Sequence, residues 1–152
     1  MTFYTTRAPL ALVTLLPLLI GASDCDPEEP GPEMMPGEDC LECHDGVEAT
    51  LFTAAGTVFD SNLGGVGLEG VTVTITDALG RQIMLESNAA GNFYTDAPIR
   101  MPFMAKTEYE GIENHMPDPQ DYGGCNDCHR AGQRISRRED CRYTDRCPLP
   151  GP

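Results

Sequence analysis

Two short stretches of this chain carry the residue types that do chemistry. Cys40-Leu41-Glu42-Cys43-His44 lies near one end and Cys125-Asn126-Asp127-Cys128-His129 near the other. Each places two thiols three positions apart and an imidazole directly after the second thiol. Cys-x-x-Cys-His is the attachment sequence of c-type haem. Its spacing suits that role. The two sulfurs reach the two vinyl groups of one porphyrin, and the following residue then lies beneath the ring, where an imidazole nitrogen can bind iron. Two copies therefore predict two covalently bound haems, on Cys40, Cys43 and His44 and on Cys125, Cys128 and His129. Two rival readings use the same cysteines. Four thiolates in two Cys-x-x-Cys pairs suit a tetrahedral structural zinc site, if the chain between them lets the pairs meet. Disulfides within or between the pairs are the plainer alternative. Neither rival requires a histidine in both copies.

The remaining ligand candidates are few. The chain has three histidines, and His115 alone lies outside the motifs, so within one chain at most one iron gains a second histidine. His115 is the sixth-ligand candidate for one haem, with Met34 or Met35 the weaker candidates for the other. A methionine ligand raises the potential relative to histidine. Met101 and Met104 are expected to pack in the core instead.

The elements that must position these groups follow from the texture of the chain. Residues 1–23 look like an export signal. Arg7 is the only charged side chain before Asp24, an apolar run covers residues 10–20, and Gly21, Ala22 and Ser23 offer a cleavage site. An uncut anchor helix is the alternative, although Pro17 interrupts the run. Export implies an oxidising compartment, in which Cys141 and Cys147 are expected to form a disulfide. Cys25 has two readings. It is lipidated at a new N-terminus, which would anchor the chain to a membrane, or it is left free after ordinary cleavage. Residues 24–37 form an acidic, proline-rich spacer. Residues 38–53 hold the first motif, and residues 112–152 hold the second motif and a basic, cysteine-containing tail.

Residues 54–111 carry strand signals. Val71, Val73 and Ile75 alternate with Thr72, Thr74 and Thr76, the signature of a half-buried strand. Turns at 77–80 and 88–92 separate it from strands at 81–86 and 93–95. Further strands are expected at 54–60 and 102–109, the last ended by Gly111. The fold class is therefore mainly β, a small Greek-key β-sandwich flanked by irregular or short-helical segments. Gly56-Thr57-Val58, the run from Gly70 through Asp77 to Gly80, and Ser87-Asn88 with Gly91-Asn92-Phe93 resemble carboxypeptidase regulatory-like (transthyretin-like) domains. That resemblance implies seven strands and no activity. The whole mature arrangement, with a Cys-x-x-Cys-His on each side of the sandwich, resembles exported bacterial di- and multihaem cytochromes. It implies electron transfer in the periplasm or at the cell surface, with other redox proteins as partners.

Composition narrows the functions further. A formal charge of −14 disfavours nucleic acid as a partner. The basic residues Arg130, Arg134, Arg137, Arg138, Arg142 and Arg146 cluster after the second motif. They read as a solvated face, or as partners for haem propionates or an acidic redox protein. No phosphate loop, carboxylate pair or nucleophile–base set stands out, so the chain reads as an electron carrier rather than a catalyst. Two other functions stay open. An open iron site would allow sensing or peroxidase-like chemistry, and a sandwich stapled by zinc or disulfides would serve binding or adhesion.

Overall fold

The computed structural model describes Cys25, residues 30–130 and residues 132–136. The expected export signal, the Cys141–Cys147 bridge and four of the clustered arginines (Arg137, Arg138, Arg142 and Arg146) lie outside the described residues.

The protein is a small, mainly β sandwich of two antiparallel sheets with only short helices. The elements run α1 (Cys40–Cys43), β1 (Ala54–Thr57), β2 (Thr72–Thr76), β3 (Gln82–Glu86), β4 (Asn92–Thr95), β5 (Met104–Tyr109), β6 (Ile112–His115) and α2 (Cys125–Cys128). One sheet is the pair β1-β4, and the other has the order β3-β2-β5-β6. The chain leaves the larger sheet after β3, adds β4 beside β1, and returns as β5 on the open edge of β2. Six strands are present among the described residues, where the family resemblance implies seven.

The alternation along β2 has the expected consequence. Val71, Val73 and Ile75 are buried between the sheets. They pack in two clusters, Val58, Val71, Val73 and Phe93 in one and Ala54, Ile75 and Phe103 in the other. Phe93 comes from β4 and Val73 from β2, so the first cluster joins the two sheets. Thr74 departs from the expected outward face and is also buried. It lies on the central strand β2, flanked in register by Met84 on β3 and Lys106 on β5. Met101 packs beside the second cluster, in agreement with a packing role.

The turns are built by side chains that replace missing ladder bonds. Asp77 Oδ1 accepts from the backbone N–H groups of Leu79 and Arg81, both at 2.9 Å. Asn88 Oδ1 accepts in the same way from Ala90 at 3.1 Å and Asn92 at 2.9 Å.

One strand was hidden in the sequence. Residues 112–115 read as irregular chain, but they form β6, paired with β5 from Lys106↔His115 to Tyr109↔Ile112. The connecting turn is Glu110-Gly111, with φ of 50° and 78°. Positive φ at both positions is the hairpin turn whose twist suits antiparallel strands. Ile112-Glu113-Asn114-His115 has no apolar alternation, because this edge strand buries neither face, with Ile112, Glu113 and His115 all exposed.

Candidate functional site

Both Cys-x-x-Cys-His motifs adopt the same local structure. Each Cys-x-x-Cys is a single helical turn, and the following histidine caps it. His44 has φ −88° and ψ 55°, and His129 has φ −88° and ψ 61°. The backbone N–H of His44 donates to Cys40 O at 2.8 Å, and that of His129 to Cys125 O at 2.9 Å. One turn therefore presents two thiols and an imidazole from a single short element.

The imidazoles are held alike. His44 Nδ1 lies 2.8 Å from the carbonyl oxygen of Thr50, and His129 Nδ1 lies 2.9 Å from that of Gln133. A carbonyl only accepts, so the proton sits on Nδ1 in both rings. The Nε2 lone pair is left for another partner. This is the arrangement that fixes a metal-binding imidazole in tautomer and direction. Different loops achieve it. In the first, Asp45 Oδ1 accepts from Val47 N at 2.7 Å and Glu48 N at 3.1 Å, which folds residues 45–50 back under the ring. These N–H bonds hold the Asp45 carboxyl below its usual range. In the second, Arg130 Nε donates to Asp127 O at 2.6 Å and its guanidinium pairs with the Asp127 carboxylate.

The sandwich brings the two motifs together. Both α1 and α2 pack on β1. The chain on either side of α2 makes single parallel bridges, Gly124 to Ala55 in β1 and Ser136 to Phe59 just beyond it. Asn126, almost wholly buried, is the junction. Its Oδ1 accepts from Thr57 N at 3.1 Å, and its Nδ2 donates to Glu38 O at 2.8 Å and to Thr57 Oγ1 at 3.1 Å. Thr57 Oγ1 also donates to Asn92 Oδ1 at 2.8 Å. A second link joins Tyr122 OH to Asp39 Oδ2 at 2.8 Å, and Asp39 Oδ1 caps α1 through Leu41 N at 3.1 Å. Gly56 on β1 lies close against α2. A Cβ there would stand 2.8 Å from both Cys125 Cβ and the Phe93 ring.

The thiols differ in state. Burial pushes the Cys125 thiol up to about 12, with the neighbouring Cys40 and Asp39 adding to the effect. The Cys40 thiol is raised by burial and then by Asp39. Both stay protonated at neutral pH. Cys128 is exposed and free. Cys43 is bonded to Cys25 in a disulfide. The sequence reading had Cys43 as a haem-binding thiol and Cys25 as lipidated or free. In this structure neither thiol is available, because each sulfur is the other's partner.

The fit to haem is thus unequal. The second motif offers both thiols and a directed imidazole. The first offers Cys40 and a directed imidazole, and needs Cys43 to be reduced. Its surroundings otherwise suit a flat apolar group. His44 stacks on Phe52 with centroids 3.9 Å apart, Phe52 stacks on Tyr94 at 4.7 Å, and Val47 and Leu51 are exposed beside them. A four-sulfur zinc site is not assembled. Among the described residues the only cluster of three metal-ligating side chains is Cys25, Cys43 and Glu48, two of which are bonded to each other.

The sixth-ligand candidates His115, Met34 and Met35 lie outside both motif turns. His115 ends β6, which pairs only with β5, and its Nε2 lies 3.3 Å from Glu113 Oε2 on an exposed face. Met34 and Met35 belong to the segment laid against β4, where Asn92 Nδ2 donates to Met34 O at 2.9 Å. Met35 has a φ of 44° and an exposed side chain. Arg134 stacks over the Phe59 ring at 4.5 Å, so this member of the basic cluster is not a simple solvated charge. The roles of Asn126 and Tyr122 escaped the sequence reading. Asn126 lies inside the second motif, at a position whose side chain the motif leaves free.

No protein-family model, curated protein or solved structure matches this chain. The likeness to multihaem cytochromes therefore rests on the two motifs themselves.

Proposed function

We propose that this chain is an exported dihaem c-type cytochrome that relays electrons between other redox proteins in the periplasm or at the cell surface. One observation carries the reading. Two copies of the motif, far apart in sequence, fold into the same turn, and in both a backbone carbonyl holds the histidine Nδ1 proton and leaves Nε2 for another partner. Disulfide or zinc staples give no reason for that repeated histidine geometry.

In this reading Cys125, Cys128 and His129 hold one haem, and Cys40, Cys43 and His44 hold the other once Cys43 is a thiol. A bound haem supplies a one-electron iron couple. The chain supplies orientation through the Thr50 and Gln133 carbonyls and a common platform in β1. Export rests on the apolar leader with its small-residue cleavage site, and membrane attachment on lipidation of Cys25. The sandwich is the scaffold, in keeping with its likeness to carboxypeptidase regulatory-like domains.

A second reading has one observation in its favour. His115 is tied to Glu113 at the edge of the larger sheet, so an iron left without a sixth protein ligand would support sensing or peroxidase-like chemistry.

Peptide mapping tests the primary reading. Protein exported from a bacterium competent in c-type haem attachment is digested, and the haem-bearing peptides are identified by mass. Haem is expected on the peptide containing Cys125 and Cys128 and on the one containing Cys40 and Cys43. Peptides without haem, with the four cysteines paired or zinc-bound, would reject it.

A further inference from the structure

We infer that the Cys25–Cys43 disulfide keeps the first motif closed to haem, and that a thiol–disulfide exchange reaction must precede its loading. The inference rests on the haem reading above and adds an order of assembly to it.

The two motifs are alike in backbone and in histidine geometry, but not in their sulfurs. Cys125 and Cys128 are thiols. Cys43 is spent in a bond to Cys25, 18 residues away, on the far side of the acidic spacer. Haem attachment to this motif adds the Cys40 and Cys43 S–H groups across two vinyl double bonds. Each sulfur bonds to the carbon next to the ring and each hydrogen goes to the outer carbon, so no electrons enter or leave. A disulfide sulfur has no hydrogen to give. The second motif can therefore be loaded at once, and the first only after reduction.

The required step balances with a dithiol reductant. One thiolate of the reductant attacks a sulfur of the bridge and displaces the other. The reductant's second thiol then resolves the mixed disulfide. The reductant leaves as a disulfide, and Cys25 and Cys43 leave as thiols. Charge narrows the class of reductant. Asp24 and Asp26 flank Cys25, Glu42 precedes Cys43, and the Glu48 carboxylate lies within 4.8 Å of both sulfurs. This acidic surround repels a small anionic thiol and raises the cost of a free thiolate. A protein dithiol that docks and exchanges directly fits better. The same exchange returns a free thiol at Cys25, the group that lipid attachment would use, so the bridge excludes both modifications together.

The test compares the full chain with its Cys25→Ser variant, both exported from a haem-attaching bacterium. Free thiols are alkylated at harvest, and intact masses are read without reductant. The wild-type chain is expected mainly as a one-haem species carrying the disulfide, with haem on the Cys125–Cys128 peptide. Adding a dithiol reductant during export should shift the main species up by one haem without any mutation. Cys25→Ser should make the same shift without reductant. The inference is overturned if wild-type chain trapped by alkylation early in export, before either motif is loaded, shows Cys25 and Cys43 as free thiols. It is equally overturned if reductant and Cys25→Ser both leave the first motif bare. Haem on neither motif in any sample would instead bring down the cytochrome reading, and this inference with it.

Discussion

The two Cys-x-x-Cys-His motifs share a backbone and differ in how they are rooted. The second motif is built into the sandwich. Asn126 sits in the middle of its turn, 3% exposed, and is hydrogen-bonded to β1 and to the chain before the first motif. The first motif buries no residue of its turn. It is held at its margins by the Asp39 cap, the Tyr122 hydroxyl, the stacked rings of His44, Phe52 and Tyr94, and the bridge to Cys25. The same five-residue pattern can thus be part of a core or a graft on its surface. The residues that decide which are the ones the pattern leaves open.

That contrast can be broken from either side. The largest effect is expected at Asn126. Replacing it with Ala strands Thr57 N, buried in β1, and removes the partner of Glu38 O. Each unsatisfied buried group costs about 1–3 kcal/mol. Asn126→Ala should therefore lower unfolding stability by more than Asp39→Ala, which loses a capping bond worth about 1 kcal/mol and the bond from the exposed Tyr122 hydroxyl. Denaturant unfolding of the two variants checks the ratio. Equal losses would mean that the second motif is no better rooted than the first.

Next in size is Phe52→Ala. Stacking of this kind is worth about 0.5–1.5 kcal/mol beyond the area it buries. The variant should loosen the His44 ring alone. The expected readout is broadened or shifted His44 ring resonances by NMR, with those of His129 unchanged. Equal changes in both histidines would count against independent surroundings.

The smallest effect concerns pH. Burial, and then the Asp39 carboxylate that accepts its hydrogen bond, push the Tyr122 phenol well above its ordinary value. A raised pKa means that this contribution to stability is fully present below the unfolded value near 10 and is lost as pH climbs through the folded one. In an alkaline absorbance titration, one of the five tyrosines should resist ionisation. Asp39→Asn should bring it closer to the others.

Much of this was legible in the sequence, and for stated reasons. The alternation from Val71 to Ile75 fixes β2 because burying one face demands it. Asp77 with Gly80, and Asn88 with Gly91, mark turns because their chemistry is local. The paired motifs stand out through their spacing, and the haem attachment proposed for them starts from that spacing. What escaped depends on contacts between distant parts of the chain. β6 has no apolar alternation and exists because the Glu110-Gly111 turn folds it onto β5. Asn126 occupies a position that the motif does not specify, and its role appears only when β1 lies beneath it. The Cys25–Cys43 pair joins a spacer to a motif, and seven cysteines permit many pairings that spacing cannot rank. The place of His115 at the end of β6, beside Glu113, follows from a strand that the sequence did not reveal.

The central claim is electron transfer at iron held by these two motifs, and spectroelectrochemistry of the exported full chain tests it most directly. The expected result is a sharp reduced α-band that appears and vanishes reversibly with applied potential, one electron for each haem counted by mass, and no turnover of peroxide. A colourless chain, or a coloured one that turns over peroxide and does not cycle reversibly, would contradict it.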